Sequence, residues 1–304
     1  MAPNCVRTGL DKLVSQDLAP SAELDWAAEM TATTGPTVTP PAEHPGGLDW
    51  AGEVTATTGP TLLLLGPIRL RQAAGQRPAR AERSCLEYLA WLLDHPGASS
   101  VLMTRDLMVA EGTRRSNLSR LRAWLGRAPD GSLYLPEAYS GRLHLHPTVT
   151  SDWQRFDLLV AHGVAATPTD RLIAALNLVR GVPLADASAI QWGWAEPARV
   201  DLNRTIRRAG AELAERALAV DDLDLARWAV ARASYAGDDE TLLRRRLEIE
   251  RRAGQDGEVD RLVVRLWRRA TDAGTSLAAE TLALLQEVAD RGPRLAFSGQ
   301  MSLW

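Results

Sequence analysis

The chain has 304 residues, a length that suits two domains of ordinary size, and a formal net charge of −3. Its composition, 45% apolar and 24% charged, is typical of a soluble globular protein. No apolar run approaches the roughly 20 residues of a membrane-spanning helix, and the N-terminus lacks the apolar core of a secretory signal. We therefore predict a cytoplasmic protein without a membrane partner.

The basic and sulfur-containing residues argue against several classes of enzyme. Lys12 is the only lysine, and the other 34 basic residues are arginine. Phosphate-binding Walker loops and Schiff-base enzymes need a lysine in the folded site, so both classes are excluded. The two cysteines, Cys5 and Cys85, argue against a disulfide framework or a cysteine zinc site, and Cys85 has the pattern of a small buried side chain. We predict no catalytic residue, no metal site and no cofactor, hence no enzyme.

Charge divides the chain into three blocks, 1–61, 62–147 and 148–304. The first holds two basic and eight acidic residues, net −6; the second holds twelve and seven, net +5; the third holds 21 and 23, net −2. Local rather than net charge decides whether a polyanion is attracted. The middle block is therefore the candidate for binding one.

Residues 1–61 have the composition of a disordered linker, rich in Pro, Gly, Thr and Ala and poor in branched apolar residues. Within them LDWAAEMTATTGPT (24–37) recurs as LDWAGEVTATTGPT (48–61) with two differences. Two copies are too few for a solenoid, which needs at least three repeats. A duplicated linker is the plainer interpretation, and a pair of acidic docking motifs centred on Trp26 and Trp50 is the alternative.

The middle block begins with two predicted strands and a helix. TLLLL (61–65) and the alternating stretch around Ile68 and Leu70 are separated by Gly66-Pro67. Apolar residues at helical spacing then run over 85–93, and Pro96-Gly97 ends that pattern.

Two further helices and a hairpin are predicted downstream. Thr104 is a candidate N-cap for a short helix over 105–110, and Thr113, after Gly112, for a third helix that ends at Gly126. Leu133–Leu135 and Arg142–Leu145 alternate about a turn and predict a hairpin. Strand pair, three helices and hairpin make a winged helix-turn-helix, which we predict for 62–147.

The third predicted helix has the chemistry of a DNA reader. Leu118, Leu121 and Leu125 form an inward stripe, and no Asp or Glu occurs from residue 112 to residue 129. An arginine helix without acids suits a phosphate-lined groove, and arginine binds guanine through two hydrogen bonds. The base-side candidates are Arg115, Ser116, Ser119 and Arg120, the phosphate-side candidates Arg114 and Arg122, and the hairpin candidates Arg142 and His144.

Two plainer interpretations of these residues stay open. The arginine run on its own is also typical of a solvated helix face. The pair His144-x-His146 has the spacing of two metal ligands, but no third ligand is apparent nearby, so we predict a basic hairpin rather than a metal site.

Several segments together resemble the actinobacterial antibiotic regulatory proteins. They are, in chain order, LLLLGPIRL, YLAWLLDHPG, TRRSNLSRLRAWLG, SGRLHLHP, SDWQRFDLL, IAALNLVRGVPL and WGWAE. The family joins an OmpR-type winged helix to an all-helical bacterial transcriptional activation domain. The resemblance implies binding to double-stranded DNA, contact with RNA polymerase through the loop at 110–112, and a homodimer.

Residues 148–304 predict an all-helical domain. Breaks at Asp221-Asp222, at 237–239 and at 254–257 divide it into helical hairpins of about 34 residues, the size of a tetratricopeptide unit. The acidic residues at these breaks are interpreted as helix caps. Tryptophans in this block are interpreted as core residues, with an effector groove as the alternative: Trp153, Trp192, Trp194, Trp228 and Trp267.

Two functions follow as hypotheses. The first is a DNA-binding transcriptional regulator, an activator that contacts RNA polymerase or a second copy of itself through its helical domain. The alternative is a helical-repeat interaction scaffold whose winged helix has lost DNA binding.

Overall fold

Ten α-helices and three short strands make up the part of the chain that the computed structural model describes, residues 59–137 and 141–290. The fold is mainly helical with one small sheet, as predicted. Residues 1–58, with the first copy of the duplicated segment and most of the second, lie outside the described residues, so disorder there stays a prediction. All described residues belong to one compact unit.

The strands are β1 (Thr61–Leu63), β2 (Arg69–Arg71) and β3 (Thr150–Ser151). The helices are α1 (Glu82–Asp94), α2 (Ser100–Asp106), α3 (Glu111–Leu125), α4 (Asp152–Leu159), α5 (Thr169–Leu178), α6 (Glu196–Ala219), α7 (Leu223–Ser234), α8 (Glu240–Arg252), α9 (Asp256–Ala273) and α10 (Ala279–Asp290). Two 3-10 turns lie at Val164–Ala166 and Gly193–Ala195.

The sheet has the order β2-β1-β3. β1 and β2 are antiparallel, with Thr61 opposite Arg71, and this confirms the predicted strand pair. β3 runs parallel to β1 and pairs Thr150 with Thr61, a long-range contact that the sequence did not indicate. Thr61, the last residue of the predicted linker, is therefore buried in the sheet.

The starts of α2 and α3 differ from the prediction. Ser99, not Thr104, caps α2, because its hydroxyl accepts the Leu102 N–H at 3.1 Å. Thr104 lies inside α2, where its hydroxyl donates to the Ser100 carbonyl. α3 begins at Glu111, so Gly112 and Thr113 lie inside its first turn. An acidic first residue is favourable at the positive end of a helix and replaces the predicted threonine cap.

The predicted hairpin does not form as a strand pair among the described residues. Leu133 forms an isolated antiparallel β-bridge with Arg127, and Arg142 forms one with Ser99. Next to that second bridge, Leu143 exchanges two backbone hydrogen bonds with the connection between α1 and α2. The His146 N–H, one residue beyond the second predicted arm, donates to the Tyr134 carbonyl of the first arm. Each arm has its backbone groups satisfied by a different neighbour.

Buried apolar side chains of the described residues form three clusters. The first core lies among α1, α2, α3 and β1, the second among α4 to α8, and the third among α8, α9 and α10. Cys85 is fully buried in the first core, and burial raises the pKa of its thiol to about 11, which confirms its interpretation as a buried structural residue. Trp192 and Ala195 also lie in the first core, although they come after α5 in the chain.

The helix breaks of the C-terminal part follow the prediction. α6 ends at Ala219, α7 at Ser234 and α8 at Arg252. Asp222 accepts the Leu225 N–H and Asp239 accepts the Leu242 N–H, each at 2.9 Å. The interpretation of these two acids as helix caps is confirmed.

Trp192 and Trp228 are buried, while Trp153, Trp194 and Trp267 are partly buried against the cores. Core packing is therefore confirmed for the first two.

α6 and α7 approach closely at Gly210. A Cβ atom at this position of α6 would lie 2.2 Å from the Ala233 Cβ and 2.9 Å from the Ala229 carbonyl oxygen, both on α7. Contacts this short do not occur, so only glycine allows the observed spacing of α6 and α7.

We predict that Gly210→Ala lowers the free energy of unfolding by about 1–3 kcal/mol, since the added methyl group forces α6 and α7 apart. Gly257→Ala is the matched control: Gly257 is exposed on α9 and a Cβ there meets nothing within 4 Å. That substitution should be neutral or stabilise by up to about 1 kcal/mol, because alanine is the better helix former. Urea unfolding followed by circular dichroism compares the two, and equal effects would contradict the close approach.

A buried carboxyl group lies on α1 where the Gly193–Ala195 turn meets it. Glu87 is buried, and burial raises its pKa from 4.5 to about 7, an effect that the nearby Trp194 indole opposes. Desolvation by burial is the larger of the two effects, so the pKa is raised. Between about pH 4.5 and 7 the folded chain therefore holds a proton that the unfolded chain has lost.

This linkage predicts that the protein loses stability as the pH rises from 4.5 through 7. Glu87→Gln should remove that loss and stabilise the protein at pH 8 by about 1–3 kcal/mol. Urea midpoints at pH 5 and pH 8 give the difference. Glu82→Gln, at the start of the same helix, keeps Glu87 and should retain the wild-type dependence; a Glu87→Gln variant that also retains it would disprove the assignment.

Candidate nucleic-acid interface

α3 presents one exposed polar face and one buried apolar face. Leu118, Leu121 and Leu125 are buried in the first core, as predicted. The opposite face exposes the four base-side candidates and one alanine: Arg115, Ser116, Ser119, Arg120 and Ala123. The structure therefore brings the four predicted base-side residues onto one surface.

The C-terminal end of α3 is fixed by the segment that follows β2. Ala74 N–H donates to the Leu125 carbonyl at 3.0 Å, and Gly75 N–H donates to the Trp124 carbonyl at 2.9 Å. A Cβ atom at Gly75 would lie 1.9 Å from the Ala123 carbonyl oxygen, so a glycine is needed there. Gly126, with φ of 76°, ends the helix as predicted. The orientation of the exposed face thus depends on the sheet.

Arg115 carries an open guanidinium on this face, with 72% of its side chain exposed. It forms an ion pair with Glu111, one turn earlier on the same helix. The sequence has no Asp or Glu from residue 112 to residue 129. Glu111, the acid that pairs with Arg115, directly precedes this stretch. It belongs to the helix because α3 starts earlier than predicted.

Arg120 is held by a neutral partner. Its Nη1 donates to the Asn117 side-chain oxygen at 2.9 Å, across one turn of α3. Asn117 is only 4% exposed and was not among the candidates. Its position directly before Leu118, on the inward face, is the signal that identifies it as a buried polar residue.

The two phosphate-side candidates lie away from the open face. Arg114 has 10% of its side chain exposed, its Nε has no hydrogen-bond partner among the described residues, and its Nη2 lies 3.8 Å from Glu111. Arg122 has 17% exposed; its Nε donates to the Leu135 carbonyl at 2.9 Å and its Nη1 pairs with Glu137 at 3.0 Å. Both guanidinium groups contact the protein itself.

The segment at 142–146 supplies one further arginine and two histidines. Arg142 is exposed, and its Nη1 donates to the Gly97 carbonyl at 3.1 Å. His144 is exposed and packs beside Gly97. His146 turns away from them: its Nδ1 hydrogen bonds with Thr148 at 2.8 Å and its ring packs edge-on against Tyr134. Arg142 and His144 thus share a surface that His146 does not.

The loop before α3 is open to solvent. Met108 is exposed with a positive φ of 50°, and Glu111 and Gly112 are exposed beside it. The segment 110–112, for which the resemblance implies contact with RNA polymerase, is exposed, and two of its three residues belong to the first turn of α3 rather than to a loop.

Within residues 59–137 and 141–290, no group of three His, Cys, Asp or Glu side chains is placed to hold a metal ion. None of the described helices combines the length and the apolar character needed to cross a bilayer. No family model and no curated protein matches the chain.

The carboxylate that pairs with Arg115 gives a testable consequence. We predict that Glu111→Gln raises the affinity for a polyanion, because it removes a negative charge that neutralises Arg115. The variant should elute from a heparin column at higher salt than the wild type.

The control for this measurement is Glu280→Gln on α10, where an exposed carboxylate pairs with Arg244. It makes the same change in net charge at a distant position. Equal shifts for both variants would show that net charge alone, and not the face of α3, governs retention.

Proposed function

We propose that the chain is a DNA-binding transcriptional regulator in which residues 62–147 act as a winged helix and α3 lies in the major groove. The observation that carries this proposal is the exposed row Arg115, Ser116, Ser119 and Arg120 on a helix whose opposite face is buried. A helix of this kind is what helix-turn-helix proteins place against base edges.

The chemistry assigns different tasks to these side chains. The guanidinium groups of Arg115 and Arg120 each match the O6 and N7 acceptors of guanine, and the serine hydroxyls adapt to bases or phosphates. Arg142 and His144 are suited to phosphates beside the groove. Arg114 and Arg122, predicted as phosphate contacts, serve in this proposal to hold α3 against the protein, because their guanidinium groups are mostly buried.

The helical part α4 to α10 is proposed to be a tetratricopeptide-like activation domain. Support comes from its consecutive helices joined by short connections and from the close approach of α6 and α7 at Gly210. In the same proposal the exposed segment 110–112, where α3 begins, contacts RNA polymerase, and a second copy of the chain completes a homodimer on DNA. These roles rest on the resemblance to the actinobacterial antibiotic regulatory proteins.

A protein-interaction scaffold is the second candidate function. The observation that favours it is that both open arginines of α3 already have partners on their own helix, Glu111 and Asn117. In a scaffold, these pairs would only stabilise the helix surface.

Selection and binding experiments separate the two functions. The full chain is used to enrich duplexes from a randomised pool, and the enriched duplex and its scrambled copy are then compared by fluorescence anisotropy across a salt series. A regulator should prefer the enriched duplex and lose affinity steeply with salt.

Arg115→Ala and Arg120→Ala should each weaken binding to the enriched duplex by about 5–150-fold, equivalent to roughly 1–3 kcal/mol. Arg204→Ala is the matched control, since Arg204 is an exposed arginine on α6 paired with Asp201. Circular dichroism verifies that all three variants fold. A wild-type chain without sequence preference, or equal losses in all three variants, would favour the scaffold.

A further inference from the structure

Asn117 is a polar residue at a position that the fold would fill with an apolar one. It lies on the inward face of α3 beside Leu118 and Leu121 and is 4% exposed. Asparagine is a poorer helix former than leucine, and a buried amide loses its hydration. Helix stability therefore does not explain an asparagine here, and its polar neighbour in the core is the buried Tyr88 hydroxyl of α1, whose pKa it holds down against the larger effect of burial.

The contacts of Asn117 connect α1 to the exposed face of α3. Its backbone carbonyl accepts a weak hydrogen bond from the Cys85 thiol of α1, with a sulfur–oxygen distance of 3.8 Å. Its side-chain oxygen accepts from Arg120 Nη1 at 2.9 Å. Asn117 thus contacts α1 through its backbone carbonyl and the Arg120 guanidinium on the open surface through its side chain.

The bond occupies one side of the Arg120 guanidinium and leaves the other open. Nη1 is engaged by Asn117, while Nε and Nη2 form no hydrogen bond with the described residues. A guanidinium offers its donors in a rigid planar fork, so fixing one nitrogen fixes the direction of the others. The open edge keeps the two parallel donors that a guanine O6 and N7 pair requires.

The partner of Arg115 has a different effect on its charge. Glu111 is an acidic side chain, so a ligand must compete with its carboxylate for Arg115. Asn117 is neutral, so it orients Arg120 without offsetting its positive charge. Of the two open arginines, Arg120 is the one that is both oriented and fully charged.

We propose that Asn117 is a positioning residue that sets the sequence specificity of α3 by orienting the Arg120 guanidinium toward a guanine. The inference rests on the proposed function, because it deepens the role of the same face. Asn117 acts through Arg120 and does not itself touch the base.

A double-mutant cycle tests this role. Asn117→Leu should lower the ratio of affinities for the enriched and scrambled duplexes by about 3–10-fold, the cost of ordering one flexible side chain on binding. Affinity for the scrambled duplex and its salt dependence should stay unchanged, since the charge is retained. In an Arg120→Ala background the same substitution should leave the ratio unchanged. A purely structural role would give independent effects that multiply, and this result would overturn the proposal.

Two measurements keep the test decisive. If Asn117→Leu fails to fold by circular dichroism, Asn117→Ala takes its place, because it removes the acceptor without adding volume. Nitrogen-15 NMR without DNA should show slowed rotation of the Arg120 Nη1 group in the wild type, assigned with Arg120→Lys and lost in the Asn117 variant. Unslowed rotation in the wild type would overturn the orienting contact itself.

These readouts distinguish failure of the inference from failure of the proposed function. If the wild type prefers no duplex but the NMR result holds, the contact orients Arg120 and both the proposed function and the specificity role are wrong. If the wild type prefers the enriched duplex and Asn117→Leu does so equally, only the inference is wrong.

Discussion

The buried carboxylate of Asp152 joins parts of the chain that are far apart in sequence. It accepts hydrogen bonds from the backbone N–H groups of Leu64 at 2.6 Å and Leu65 at 3.1 Å, and from Arg180 Nη2 at 3.1 Å. Burial raises the pKa of Asp152, while these three hydrogen bonds oppose that shift. Because a buried charge without partners is strongly destabilising, the carboxylate requires all three groups to stay in place.

The residues held by Asp152 direct side chains into two cores. Leu64 packs in the first core with α1 and α3, and Leu65 packs in the second core with α4 to α8. The strand that leads into them also places β2, whose following segment holds the end of α3 through Ala74 and Gly75. The direction of the exposed arginine face therefore depends on an acid near the start of α4.

Local patterns in the sequence predicted the features that local interactions determine. The inward leucines of α3, the glycine that ends it and the two aspartate caps all follow from spacing within one or two helical turns. The start of α3 was missed because the threonine cap and the acidic first residue are both favourable signals, only two residues apart.

Features set by distant contacts could not be read in this way. Asp152 hydrogen bonds with Leu64 and Leu65, which lie 88 and 87 positions earlier in the chain. The parallel pairing of β3 with β1 spans a similar separation. Arg122 is satisfied by the 135–137 segment, which no periodicity indicates. Among the site residues, the outward positions were predictable from the helical period, but the partners of each guanidinium were not.

The cationic groups on the open face of α3 are arginines alone, and this restricts how its charge can be changed. Guanidinium groups stay protonated at any physiological pH, so acidification or alkalinisation of the medium leaves their charge intact. Lysine acetylation, a common way to remove positive charge from a protein surface, has no target there, because Lys12 is the only lysine of the chain. The positive charge of these arginines is therefore constant over the physiological pH range and insensitive to acetylation, and ionic strength is the variable that modulates its attraction for a polyanion.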